Sequence, residues 1–213
     1  MKVLLIGYGN INKLISDNNS IEVVGIIQRE KFYINNNPDI IIDFSHHLFI
    51  DETIKYANLY NVPVIIGTTG YTDIEFEKIK QLSTKVAVLL CENFSVGINL
   101  IKNMLNNNIE IINHFRKNIY ETHRALKADI PSGTAIMLSD ILKTNSIISY
   151  RVENVLGKHK IVLSSDYERV EIIHEILDRR VFSNNVIMIA KKLINKKEKL
   201  YTFEEILNEW IWS

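Results

Sequence analysis

The sequence predicts an α/β protein in two parts. A parallel-sheet unit spans residues 1–95, and an α+β unit with a mixed sheet spans 96–184, with the helices of 185–213 expected to pack back on the first unit. Three observations carry this reading. Up to residue 95, continuous apolar β-branched runs alternate with amphipathic stretches, the pattern of a parallel sheet covered on both faces. The first of these runs ends in a Gly-x-Gly turn. Beyond residue 95, strand-like segments follow one another with little helix between them, which suits a mixed sheet.

Taken in order, KVLLIG (Lys2–Gly7) is the first strand, and YGNINKLISDN turns into a helix. IEVVGIIQ (Ile21–Gln28), DIIIDF (Asp39–Phe44), VPVIIGTTG (Val62–Gly70) and KVAVLLCENFS supply further strands. LFIDETIKYANLYN and TDIEFEKIKQLST carry helical periodicity between them. INLIKNMLNNNIEIINHF reads as a helix, then NIYETHRA, SYRVENVLGKHKIVLSS and RVEIIHEILD as strands. SNNVIMIAKKLINKK and TFEEILNEWIWS close as helices, with Trp210 and Trp212 expected to cover a core or a subunit surface.

Lysine plus arginine equal aspartate plus glutamate at 25 each, so no long-range field favours nucleic acid. The basic run KKLINKKEK (Lys191–Lys199) is then a solvated helix face or its end. Cys91 is the only cysteine, which excludes an intrachain disulfide and is consistent with a reducing compartment. The N-terminal apolar stretch is too short for a signal peptide, and the longest apolar runs fall far below the roughly 18 residues of a membrane span. A cytoplasmic protein with no membrane or nucleic-acid partner is expected.

GYGNIN (Gly7–Asn12) lies where the first strand meets the first helix. In a dinucleotide-binding turn one glycine makes the bend, a second admits the pyrophosphate and a third lets helix and strand pack closely. Gly7 and Gly9 fit the first two positions, with Tyr8, Asn10 and Ile11 completing the turn. Asn12 stands at the third, where its side chain is expected to push helix and strand apart. Residues 1–95 therefore read as a Rossmann-type dinucleotide-binding domain. At the tip of the second strand, neutral Gln28 followed by Arg29 favours the 2′-phosphate of NADPH, while Glu30 leaves a ribose contact, and hence NADH, open.

Three more loops follow strand ends: DFSHH (Asp43–His47), GTTG (Gly67–Gly70) and CENFSVG (Cys91–Gly97). Ligands of open parallel sheets bind outside these ends, so Gly67, Thr68 and Thr69 can offer backbone and hydroxyl groups to a nicotinamide or its ribose. His46 and His47, adjacent on an extended chain, are expected on opposite faces, and no metal is expected. His114 and His159 are read as surface or packing residues.

ETHRALKADIPSGTA (Glu121–Ala135) gathers a histidine, an arginine and a lysine just before a Pro-Ser-Gly-Thr turn that opens a helix. His123 and Lys127 can approach a common point, and His123 titrates near neutrality. Free N–H groups at the helix start, with the hydroxyls of Ser132 and Thr134 and the bare backbone of Gly133, suit a carboxylate. Arg124 and Lys127 could hold another. The plainer alternative is Ser132 as an ordinary helix cap with the basic residues in solvent.

These residues resemble a known family, the 4-hydroxy-tetrahydrodipicolinate (dihydrodipicolinate) reductases. ETHRALKADIPSGTA looks like the family signature Glu-x-His-His-x-x-Lys-x-Asp-x-Pro-Ser-Gly-Thr-Ala, and DFS, GTTGY, ENFSVGINL and ERVEIIHEILDRRVF are similar to its other segments in order. The resemblance implies NAD(P)H-dependent reduction of a cyclic dicarboxylate with loss of water, in lysine and diaminopimelate biosynthesis. It implies His123 as the acid/base group and Lys127 as a proton donor or carboxylate-binding cation. Gly133 and Thr134 would bind a substrate carboxylate, and Gly7–Asn12, Gly67–Thr69 and Cys91, Glu92, Asn93 and Phe94 would bind cofactor. It also implies that residues 96–184 form a substrate and oligomerisation domain, and that the protein is a homotetramer. Three positions depart from the family pattern: Asn12 for the third glycine, Arg124 for the second histidine, and Glu92 where a small residue or proline is usual. The segment from Gln28 to Pro38 also looks short. Two alternatives stay open: a degenerate NAD(P)-binding protein without turnover, and a related Rossmann dehydrogenase acting on an amino or keto acid.

Overall fold

The computed structural model describes residues 1–29 and 32–211, with side chains as far as Leu207. In chain order the elements are β1 (Lys2–Ile6), α1 (Asn10–Ser16), β2 (Glu22–Ile27), β3 (Phe32–Ile34), β4 (Ile40–Asp43), α2 (Ile50–Tyr60), β5 (Val64–Ile66), α3 (Asp73–Leu82) and β6 (Ala87–Leu90). They continue with α4 (Val96–Asn107), α5 (Ile109–Ile112), β7 (Arg116–Arg124), α6 (Gly133–Leu142), β8 (Ile147–Val152), β9 (Lys158–Ser164) and β10 (Arg169–Glu175). The last are α7 (Arg180–Leu193), β11 (Lys199–Tyr201) and α8 (Phe203–Ile211). Two compact units result, one of residues 1–94 with 182–213 and one of 95–181.

The first unit holds a seven-stranded sheet in the order β11-β6-β5-β4-β1-β2-β3. Every pair is parallel except β2 with β3. β4 and β5 are buried along their whole length and β1 nearly so, which is why their sequences read as unbroken isoleucine, leucine and valine rather than as alternation. Successive strands step outward from β1 in both directions, so the order reverses between β1 and β4, the position where such sheets open a ligand crevice.

Sequence reading missed two strands. Only residues 28–31 separate β2 from β3, whereas a parallel neighbour needs a crossover of about a dozen residues. β3 is accordingly an antiparallel edge strand, and the short segment after Gln28 takes this form. β11 starts at the last residue of the basic run and continues through Leu200 and Tyr201, which carried no assignment, and it extends the sheet beside β6.

In the second unit a four-stranded mixed sheet runs β10-β9-β7-β8, with β7 and β8 parallel and the other pairs antiparallel. SYRVENVLGKHKIVLSS proves to be two strands, broken by a turn in which Asn154 takes φ 61°. One face of the sheet packs on α4, α5 and α6 through Ile119, Ile161 and Leu163 against Ile101, Leu105, Ile112, Leu138 and Leu142. The expectations for Glu30 and Trp212 fall on residues outside those described, and that for Trp210 on a side chain outside them.

Candidate active site

In the first unit the strand ends form a cleft of about 580 Å³, lined by Gly9–Ile11, Phe44–His47 and Gly67–Gly70. Gly7 makes the bend at φ 79°, and a Cβ there would lie 2.8 Å from Ser45 Cα and 2.9 Å from the Phe44 carbonyl oxygen, so only glycine fits. A Cβ on Gly67 would strike the Phe44 ring at 2.1 Å. Gly9 and Gly70 differ, because a Cβ on either meets nothing within 4 Å. Gly70 is fixed instead by its backbone, at φ 82°, whereas the bare backbone of Gly9 leaves the cleft open. Gly9 also starts α1 without a side-chain cap, leaving that turn to an outside acceptor. Bare backbone at a helix start beside an open cleft fits a dinucleotide diphosphate.

Behind this surface, buried Asp43 organises the loops. Its carboxylate accepts from Ser45 N, Ser45 Oγ, Thr53 Oγ1 and Thr68 Oγ1. Burial raises its carboxyl above the ordinary value, and those four hydrogen bonds partly offset the rise. Thr68 is thereby buried and committed to Asp43, while Thr69 is exposed.

Asn12 corrects an expectation. Rather than forcing α1 from β1, its fully buried amide donates to the carbonyls of Ile6 and Gly7 at 2.9 Å each and ties helix to strand. Its side chain faces that backbone and not the cleft. Tyr8 is turned along α1, with its hydroxyl 3.0 Å from Ser16 Oγ. Arg29 is exposed and Gln28 half-buried at the end of β2. Cys91–Phe94 stand at the end of β6, outside the cleft lining. The Phe94 ring is buried against Phe44 and Phe203, Cys91 Sγ donates to the Asn93 carbonyl, and Glu92 is exposed. The rings of His46 and His47 lie 4.4 Å apart rather than on opposite faces, because a 3₁₀ turn begins at His47. His47 Nδ1 sits 2.9 Å from Glu75, whose side chain also closes the capping box of α3.

In the second unit strand register assembles a polar cluster. Period-two alternation puts Ile119, Glu121 and His123 of β7 on the face covered by α6. Glu121 pairs across the sheet with Ser149 on β8 and His159 on β9, and His159 pairs with His174 on β10. His123 pairs with Arg151. One polar row therefore lies directly above the apolar row containing Ile119 and Ile161.

Glu121 is wholly buried. Its two carboxylate oxygens each accept from Ser132 N at 3.2 Å, and Oε1 accepts from Arg151 Nη2 at 3.2 Å. Burial alone would raise its carboxyl, but hydrogen bonds from Ser132, Ser149 and Arg151 outweigh that and hold it below the ordinary value. His123, 7% exposed, has Nδ1 3.1 Å from Glu121 Oε2 but off the line of a hydrogen bond. Burial pulls its pKa down, Glu121 and Asp129 pull it up, and Lys127 and Arg151 push it further down. The His159 ring stands edge-on to His123 with centroids 5.1 Å apart, and burial with His123 beside it lowers its pKa to about 4.

Ser132 caps α6 by accepting from Ala135 N, and its hydroxyl is 3.2 Å from His159 Nε2. Its own N–H is already taken by Glu121. The helix start thus serves as ordinary cap and anion site together, and a protein carboxylate occupies its first N–H. Gly133 is exposed, and a Cβ on it would meet nothing within 4 Å; Thr134 follows, half-buried. Lys127 Nζ is 2.7 Å from both oxygens of Asp129. Arg124 does not join the cluster: strand alternation turns it to the opposite face from His123, where it is exposed. His159, taken as packing, belongs to the cluster, whereas His114 is exposed. Glu121, Arg151 and His159 were missed; the available signal was their period-two phase relative to Ile119, Ile147 and Ile161.

A strand-end cleft with bare glycines, and a separate unit carrying a buried Glu–His cluster at a helix start, fit a dinucleotide-dependent α/β oxidoreductase of a small substrate. Residues 1–94 match the family model for the N-terminus of dihydrodipicolinate reductase, and residues 97–207 match that for its C-terminus. The chain belongs to the dihydrodipicolinate reductase family. It is 34% identical to the 4-hydroxy-tetrahydrodipicolinate reductase of Thermosipho africanus over 98% of this chain and 99% of that one. It is 33% identical to that of Brachyspira hyodysenteriae over 97% of this chain and all of that one. The dipicolinate-bound dihydrodipicolinate reductase of Paenisporosarcina sp. TG-14 shares the fold with a TM-score of 0.78 at 19% identity, covering 96% of this chain and 98% of that one.

Proposed function

We propose that this chain reduces 4-hydroxy-tetrahydrodipicolinate to tetrahydrodipicolinate with NADPH or NADH, releasing water, in lysine and diaminopimelate biosynthesis. One substrate, one reduced nucleotide and one proton give product, oxidised nucleotide and water. The observation that carries the reading is the His123–Glu121–Ser132 arrangement at the start of α6, within the family signature.

Gly7–Ile11 and Gly67–Thr69 hold the nucleotide, with Asn12 and Phe94 supporting them from behind. When bound, the reduced nicotinamide supplies a hydride. The protein's own task is then to hold two carboxylates and deliver a proton. The N–H groups of Gly133 and Thr134 take one carboxylate. Lys127 takes the other by exchanging its Asp129 partner for the substrate. His123 gives up the proton, and its place beside Glu121 keeps it from losing all affinity for one. Arg124 is left outside this assignment. Arg29, exposed after β2, favours the 2′-phosphate of NADPH.

The uncovered face of the four-stranded sheet supports a homotetramer built through this unit. It carries Ile148, Tyr150 and Val152 of β8 and Ile173 of β10, each 40–52% exposed. Among the described residues no helix is long and apolar enough to cross a membrane. The single cysteine is consistent with a reducing compartment, and the cytoplasm is the location proposed.

The test follows NADPH and NADH oxidation with substrate formed in situ from pyruvate and aspartate semialdehyde by the preceding synthase. Oxidation should require that substrate, favour NADPH, and fall roughly 10²–10⁴-fold in His123→Gln and steeply in Lys127→Ala. A folded protein that binds nucleotide but never oxidises it would turn the reading to a binding protein without turnover.

A further inference from the structure

We infer that Glu121 is the positioning residue of this site, joining the His123 ring, the Lys127 loop and the start of α6 through one buried carboxylate. This rests on, and deepens, the reductase reading. A carboxylate with no exposed surface is costly unless its oxygens are fully engaged, and those of Glu121 are engaged in three directions. Toward α6 they accept from Ser132 N, which fixes the backbone at the start of the helix. Toward β8 they accept from Arg151, whose guanidinium also donates to the carbonyls of Lys127 and Asp129. Arg151 thereby ties the loop that carries Lys127 to the same carboxylate. Along β7 they face His123 Nδ1.

The other edge of His123 is cleared by a glycine. A Cβ on Gly157 would stand 3.2 Å from His123 Nε2 and 3.3 Å from Cδ2. One ring edge is thus held by a charge and the other is left open by an absent side chain. Nε2 is the nitrogen this arrangement leaves for proton delivery.

The groups facing His123 are Glu121 on its own strand, Arg151 on β8, neutral His159 on β9, and Lys127 with Asp129 from the following loop. With Glu121 neutralised, the two cations outweigh the remaining Asp129. Protonated His123 then loses its nearest counter-charge.

The test is Glu121→Gln, which keeps the shape and removes the charge. The His123 ring titration, followed by NMR without substrate and assigned by its loss in His123→Gln, should fall by about one pH unit or more. The alkaline limb of kcat/KM should move down with it, kcat should drop roughly tenfold or more, and KM should change less. Glu121→Asp should recover part of both shifts. Gly157→Ala, which keeps the charge but crowds Nε2, should lower kcat while leaving the ring titration within about half a unit of wild type. A folded Glu121→Gln whose His123 titration and pH profile match wild type overturns the inference. Should Glu121→Gln not fold, wild-type kcat in Gly157→Ala together with a wild-type titration in Glu121→Asp overturns it equally. The ring titration needs no turnover, so an inactive wild type would sink the reductase reading while leaving this inference to its own result.

Discussion

Asn12 shows how one residue can meet a constraint by unexpected means. The third glycine of a dinucleotide-binding turn lets helix and strand approach; here an amide bridges them. The two carbonyls it serves lie at the end of β1 and in the Gly7 bend, so both the sheet and the cleft rest on it. Asn12→Ala should cost about 1–3 kcal/mol of stability, because a buried acceptor loses its donor. Urea unfolding would measure that cost, and nucleotide titration should show weaker binding as the Gly7 bend loosens. An unchanged unfolding midpoint would mean that the amide contributes no net stability. Asn12 was visible in the sequence only as a departure from a pattern. Whether its side chain would wedge or bridge depended on where the two carbonyls came to rest.

At the scale of elements, the row across β7, β9 and β10 couples charge to folding. His159 has a folded pKa of about 4 against 6.5 when free, so between those values the folded state binds fewer protons than the unfolded chain. Its contribution is complete above pH 6.5 and is lost as pH falls toward about 4. The upper bound on that loss is about 3 kcal/mol. His174, also lowered by burial, acts in the same direction. His159→Gln should therefore show a shallower loss of denaturant midpoint between neutrality and about pH 5 than wild type. Equal slopes would remove His159 from the pH response. None of this followed from reading strands one at a time. Glu121, His159 and His174 sit at unrelated sequence positions, and a one-residue slip of register would turn any of them to the other face.

At the scale of the whole molecule, the open face of the four-stranded sheet is, among the described residues, an apolar surface without a partner in its own unit. Alternation along β8 places Ile148, Tyr150 and Val152 there, opposite the face that packs on α4–α6. Exposed patches of this kind mark association surfaces, and a second copy of the chain is the occupant proposed. Tyr150→Asp should lower the assembly's mass in light scattering at matched concentration while leaving circular dichroism unchanged. A tetramer that survives this substitution would move the interface elsewhere.

The sequence by itself determined the α/β class, the Gly7 bend, the Gly67 loop and the family signature. Each depends on neighbours in the chain: a run of apolar residues, a glycine after a strand, a short motif. Tertiary structure decided what Asn12 does, that β3 runs antiparallel, that Arg124 turns away, and that Glu121, Arg151 and His159 surround His123. Those outcomes depend on strand register and on which backbone groups burial leaves unpaired, and both arise only when distant segments pair.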